Sequence, residues 1–200
     1  MLETPAPLRR VCIFCGSSRG ARADYVAAAQ ELAAELGRRG IEMVYGGGNV
    51  GLMGVVADAA LGHGVRVTGI IPRGLADKEL AHQGIDDLRV VDSMHSRKAL
   101  MAELSDGFVA MPGGIGTFEE FFEILTWRQL GLHAKPCGLL DVAGYYDELL
   151  ALLDRAVAEG FLKPKHRAAV LVARSAADLL DQMQAYRPAP GTPILDKVET

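Results

Sequence analysis

The sequence predicts an α/β fold: a doubly wound, mostly parallel sheet with helices on both faces. Three observations predict it. Short apolar runs alternate with helical patterns along nearly the whole chain. The apolar runs are near-continuous rather than alternating, as strands covered on both faces require. Glycine turns follow three of them, CGSSRG, YGGGNVG and MPGGIG, at the strand ends where open α/β sheets bind ligands.

In chain order, RVCIFCG (10–16) reads as the first strand, and DYVAAAQELAAELGRRG (24–40) as a helix ended by Gly40. IEMVYGGG (41–48) is a strand running into a glycine loop. VGLMGVVADAALGHG (50–64) is a helix stopping near Gly62 or Gly64, and VRVTGIIP (65–72) is a strand. A long polar connection leads to LRVVD (88–92), a short strand, and SRKALMAELSD (96–106), a helix. GFVAMPGG (107–114) is a strand, TFEEFFEILTWRQLGLH (117–133) a helix and KPCGLLD (135–141) a strand. YYDELLALLDRAVAEG (145–160) is a helix, AAVLVA (168–173) the last strand and SAADLLDQMQAY (175–186) the last helix. Strand–helix alternation of this kind makes right-handed crossovers between parallel strands. Residues 1–8 and 187–200 carry two and three prolines without a helical period, and read as flexible tails around one domain over residues 9–186.

Composition narrows the function. Two hundred residues suit one domain with a real core. A net charge of −4 gives no basic surface for nucleic acid. No apolar run approaches the ~20 residues of a membrane span, and the N-terminus lacks an apolar leader segment. Cys12, Cys15 and Cys137 do not form a disulfide framework, which fits a reducing cytoplasm. The pair CIFC has redox-motif spacing but lies inside a predicted strand, so it reads as two buried, inert thiols. No Cys/His spacing suggests zinc, and nothing calls for a metal.

GGGNVG (46–51) matches G-x-G-x-x-G. It follows the second strand rather than the first, and the next strand end, GIIPRG, lacks the acidic residue a dinucleotide site needs. It reads either as a tight turn with close packing at Gly51 and Gly54 or as backbone lining a nucleotide pocket. The phosphate-loop pattern of NTPases is absent. In PGGIGT, Pro112 stiffens the turn, glycines let the main chain approach a ligand, and a helix start supplies free N–H groups and a positive dipole end, which suit a phosphate. Two readings of the following acids stand. Thr117 to Glu120 fits the capping box S/T-x-x-E. Alternatively, Glu120 points at a sugar carbon beyond a bound phosphate. Upstream, Arg97 and Lys98 sit at a helix start with Ser93 or Ser96 as cap, where cations oppose the dipole unless one reaches an anion. His95 is either structural or a general acid, and Glu79 is ambiguous.

Together PGGIGTFEE, MHSRK, YGGGNVGLMG and VCIFCGSS resemble the LONELY GUY (LOG) family, the cytokinin riboside 5′-monophosphate phosphoribohydrolases once labelled possible lysine decarboxylases. The resemblance runs from about Arg10 to Tyr186. It implies a Rossmann-like fold and hydrolysis of the N-glycosidic bond of AMP or its N6-isopentenyl form, to free base and ribose 5-phosphate, without a cofactor. Arg97 and Glu120 resemble the catalytic pair. Glu79, Lys98, Gly113, Gly114, Ile115, Gly116, Thr117, Phe118, Glu119 and Thr126 are the implied substrate contacts, with Gly16, Ser17, Gly47, Gly48 and Met94. A homodimer with pockets near the interface is also implied. The chemistry is consistent. A ribosyl C–N bond breaks through a cationic sugar, which a carboxylate stabilises or attacks by activating water. A held 5′-phosphate positions that sugar. Arg97 either grips the phosphate or acts electrostatically. A carrier or sensor of the same fold without turnover is the alternative. Lysine decarboxylation, which calls on a Schiff-base lysine, is disfavoured.

Overall fold

The computed structural model describes residues 7–76 and 80–188. Its strands are β1 (Arg10–Phe14), β2 (Glu42–Tyr45), β3 (Val67–Pro72), β4 (Asp87–Val91), β5 (Gly107–Ala110), β6 (Cys137–Leu140) and β7 (Val170–Ala173). They form one sheet in the order β4-β3-β2-β1-β5-β6-β7, with every neighbouring pair parallel. The helices are α1 (Ala23–Arg39), α2 (Gly51–Gly62), α3 (Arg73–Ala76), α4 (Met94–Leu104), α5 (Ile115–Leu130), α6 (Asp147–Ala158), α7 (Pro164–Arg167) and α8 (Ala176–Ala185).

Side-chain alternation divides the core in two. Val11 and Ile13 of β1 point to the face covered by α1, α2 and α8. Cys12 and Phe14 point to the opposite face, where Met101 of α4, Phe121 and Ile124 of α5, and the partly buried leucines of α6 lie. In α1 the buried positions Ala29, Leu32, Ala33 and Leu36 follow helical spacing. That helix ends as its sequence dictates: Gly40 is left-handed at φ 64° and the Ile41 N–H returns to the Leu36 carbonyl at 2.9 Å. The helices therefore cover both faces of a fully parallel sheet, a Rossmann-like arrangement.

Several boundaries differ from the sequence reading. The short helices α3 and α7, and a 3-10 turn at Val142–Gly144 ahead of α6, are structure where the sequence marks connection. Ser93, not Ser96, caps α4, accepting from the Ser96 N–H at 3.0 Å. Helix α5 starts at Ile115 with Gly114 as its cap and no side-chain cap bond, so the Thr117–Glu120 capping box does not form. Thr117 is instead buried under the Gly113 turn, a tertiary contact that spacing does not reveal. Leu8, assigned to the N-terminal tail, is buried against the core beside Gly107; residues 1–6 and 189–200 of the expected tails lie outside the described residues. Cys12 and Cys15 are buried, free thiols on opposite sides of the sheet.

Candidate active site

The strand order runs outward from β1 in both directions, through β2 on one side and β5 on the other, so the crevice opens between the carboxyl ends of β1 and β5. Two glycine loops meet there. The Gly16 N–H donates to the Pro112 carbonyl at 3.1 Å, and the Gly16 carbonyl accepts from the Leu52 N–H at 3.0 Å. A Cβ on Gly113 would overlap Thr117 Oγ1 and come within 2.8 Å of the Gly16 nitrogen. Gly113 thus serves loop-to-loop contact. Gly114 and Gly116, where an added Cβ would meet nothing within 4 Å, leave the mouth of the turn open.

Helix α5 begins at this turn. Among the described residues, the N–H groups of Gly113, Gly114, Ile115, Gly116 and Thr117 donate to no acceptor in the chain. Five unclaimed donors at a helix N-terminus beside an open mouth make an anion cradle. Ile115 and Phe118 flank it, Ile115 almost fully exposed and Phe118 half-buried.

Beside the cradle stands an arginine–carboxylate pair. Arg97, buried on α4, donates through Nε to the Ile70 carbonyl at 3.1 Å and through Nη2 to the Gly46 carbonyl at 3.2 Å. The first carbonyl lies within β3 and the second just past the end of β2, so a strand and the glycine loop aim the guanidinium. Its Nη1 is left to face Glu120 Oε1 at 3.7 Å and Met94 Sδ at 3.8 Å. Glu120 lies in the second turn of α5, with only 12% of its side chain exposed. Burial pushes its pKa up from the usual 4.5 to about 6; Arg97 opposes this, and Glu119 adds to it. Glu120 is therefore ionised at neutral pH yet poorly solvated.

Lys98 Nζ binds Glu119 Oε1 at 2.5 Å and Glu123 Oε1 at 3.0 Å. Burial pulls its pKa down, but the two carboxylates outweigh that and hold it above the ordinary lysine value. In this arrangement Lys98 neutralises the acids flanking Glu120. Gly46 is bare because a Cβ would occupy the position of Arg97 Nη2. Gly47, at φ 72°, makes the tight turn, and its carbonyl accepts the His82 N–H at 2.9 Å. Gly48 bridges to Ala81 and the Asn49 N–H reaches the Leu80 carbonyl at 2.8 Å, so segment 80–82 is stapled along the glycine loop. His82 anchors that segment, accepting the Gly84 N–H at Nδ1 and bonding Asp58 through Nε2 at 2.9 Å.

The structure brings Gly16, Ser17, Gly47, Gly48, Met94, Arg97, Lys98 and the Gly113–Glu120 stretch to one end of the sheet. Met94 and Ser17 are exposed, as is His95. Thr126 is not brought to the pair: it lies about 9 Å further along α5 than Glu120, and its hydroxyl bonds the Phe122 carbonyl at 2.8 Å. Glu79 lies outside the described residues. Sequence reasoning missed Gly46 as the space for Arg97. It also missed Tyr145 and Tyr146, whose hydroxyls donate to the carbonyls of Gly113 and Met111. The signal for the tyrosines was the position of GYYD just past a strand end, next to β5 in the sheet.

A family model described as possible lysine decarboxylase matches residues 53–183. The probable cytokinin riboside 5′-monophosphate phosphoribohydrolase LOGL5 of Oryza sativa subsp. japonica is 51% identical over 187 residues, covering 94% of this chain and 76% of that protein. The chain belongs to the LONELY GUY family. Another LONELY GUY relative, the cytokinin riboside 5′-monophosphate phosphoribohydrolase LOG1 of Arabidopsis thaliana, is 46% identical over 187 residues, 94% of this chain and 88% of its own length. Solved structures share the LONELY GUY fold at low identity. The molybdenum cofactor binding protein of Rippkaea orientalis superposes with a TM-score of 0.68 at 19% identity, over 90% of this chain and 98% of that one. The Moco carrier protein of Chlamydomonas reinhardtii gives 0.66 at 20% identity, over 90% and 99%.

Proposed function

We propose that this chain hydrolyses the N-glycosidic bond of an adenosine 5′-monophosphate, N6-modified or plain, releasing the free base and ribose 5-phosphate. One observation carries the reading: five free N–H groups of an anion cradle stand beside a buried, ionised carboxylate paired with an arginine. The names of the similar rice and Arabidopsis proteins support it.

The 5′-phosphate docks on the Gly113–Thr117 N–H groups and fixes the ribose over Glu120. The C1′–N bond breaks, its electron pair leaving with the base, which takes a proton from solvent. Positive charge grows on the ribose, and the Glu120 carboxylate stabilises it at close range in a poorly solvated site. Glu120 then takes a proton from the water whose oxygen bonds C1′. Arg97, held on two carbonyls, orients the carboxylate and adds a cation near the phosphate. Lys98 does not serve Schiff-base chemistry here, since its amine is held protonated between Glu119 and Glu123.

The test is incubation with AMP and with isopentenyladenosine monophosphate, measuring free base by chromatography. Base release from either nucleotide, with at least ~10²-fold slower release from the same riboside lacking phosphate, is the expected result. Binding without release would make the chain a carrier or sensor. Equal rates for nucleotide and nucleoside would remove the cradle from the mechanism.

We also infer a homodimer. A groove of about 850 Å³ between α4, α5 and the segment before β6, lined by Phe108, Trp127 and Leu132 together with Glu103, His133 and Lys135, supports it. Light scattering should give twice 21.4 kDa; the monomer mass would refute it. The three buried, unpaired thiols suit a reducing cytoplasm.

A further inference from the structure

The cradle works only if its peptide planes face the right way, and three bonds on its far side set those planes. In a trans peptide the carbonyl of one residue and the N–H of the next point in opposite directions. The Pro112 carbonyl is held by the Gly16 N–H, which turns the Gly113 N–H toward the crevice. The Gly114 carbonyl is held by the Phe118 N–H at 3.1 Å, which does the same for Ile115. Between them lies the Gly113–Gly114 peptide. No helix or strand ladder holds its carbonyl; among the described residues the acceptor there is filled by the Tyr145 hydroxyl alone.

Tyr145 is built for that single contact. Its ring stacks on Phe118 at 6.4 Å, meets Tyr25 edge-on at 5.9 Å and meets Tyr146 edge-on at 5.1 Å. Three aromatic neighbours aim the hydroxyl, and Phe118 belongs to the first turns of the same helix. The adjacent Tyr146 offers a contrast within the same turn. It is fully buried and donates to the Met111 carbonyl at 2.6 Å. The nitrogen of that peptide is Pro112, which has no N–H to aim. Tyr146 therefore stabilises the loop without orienting a donor.

We propose that Tyr145 is a positioning residue for phosphate: its hydroxyl fixes the Gly113–Gly114 peptide so that the Gly114 N–H points into the cradle. This rests on the hydrolase reading for the identity of the substrate, but not for the anion itself. Tyr145→Phe keeps the ring packing and removes the one bond. Calorimetric titration with inorganic phosphate should show about three- to tenfold weaker binding in Tyr145→Phe, the worth of one donor aimed at an anion. The KM for AMP should rise by the same factor with kcat within about twofold, because the remaining donors still hold the ribose over Glu120 once the nucleotide is bound. Tyr146→Phe should show the reverse pattern, with a lower Tm and a phosphate Kd within about twofold of wild type. An unchanged phosphate Kd in Tyr145→Phe overturns the proposal. So does equal weakening in both variants, which would mean a loop merely loosened. If wild type releases no base but phosphate binding still follows this pattern, the hydrolase reading fails and the positioning role stands. If wild type binds no inorganic phosphate, the positioning role falls.

Discussion

Replacing Glu120 by glutamine separates its chemical role from its structural one. The folded carboxyl holds its proton to about pH 6, against the usual 4.5, because burial outweighs the attraction of Arg97. The native state thus carries an extra proton between those values. With respect to this group, the fold is most stable below pH 4.5 and loses that advantage as pH rises through 6. Above pH 6, keeping the carboxylate charged inside the fold costs about 2 kcal/mol. Glutamine mimics the neutral acid, so E120Q should be more stable than wild type at pH 7.5 by up to about 2 kcal/mol, roughly 4–8 °C in Tm for a chain this size. The difference should vanish near pH 4. Base release should fall ~10³-fold, the scale of losing a charge-stabilising group in a desolvated site. Paired thermal melts at pH 4 and 7.5, with chromatographic base release, measure both. A variant less stable than wild type at pH 7.5, or a Tm difference independent of pH, would refute a buried charge held against its solvation. Retention of more than about a tenth of the activity would refute its part in the chemistry.

Other outcomes follow from the same geometry. Wild-type kcat/KM should fall on the acid side with an inflection near pH 6 as Glu120 protonates, read from a pH–rate profile. Lys98→Ala leaves Glu119 and Glu123 unneutralised beside Glu120, so that inflection should move to higher pH; Lys98→Arg should restore it, while an unmoved limb would free Lys98 from any electrostatic role. Gly46→Ala places a methyl where Arg97 Nη2 lies, and should lower kcat by ~10²-fold and also lower Tm at pH 7.5, since Arg97 then no longer offsets the buried Glu120 charge; wild-type kinetics would show that the guanidinium need not be held there.

The order of strands and helices was legible because burial imposes itself on the sequence as apolar runs and helical spacing. Gly40 announced the end of α1 because only its left-handed conformation closes that helix. Arg97 and Glu120 could be singled out because the motifs around them occur together. What spacing could not convey depends on contacts distant in sequence. Thr117 looked like a cap, yet it is buried against Gly113, whose turn also meets the Gly16 loop. Gly46 looked like one glycine of three, and its purpose appears only once an arginine 51 residues later arrives. Tyr145 looked like the start of a helix, but it acts on a carbonyl 32 residues earlier. Thr126 lies further along α5, and within the chain its hydroxyl bonds the Phe122 carbonyl.

The carbonyls of Ile70 and Gly46 aim Arg97, and the main chain of Gly16 ties the cradle loop to the start of α2. Both anchors are main-chain atoms rather than side chains. The exposed Leu80 side chain, on the segment stapled along the glycine loop, can therefore change without touching either anchor. The molecule thus aims its buried arginine through the main chain and leaves the exposed Leu80 side chain out of that task. Substitutions there should leave the aim of Arg97 intact.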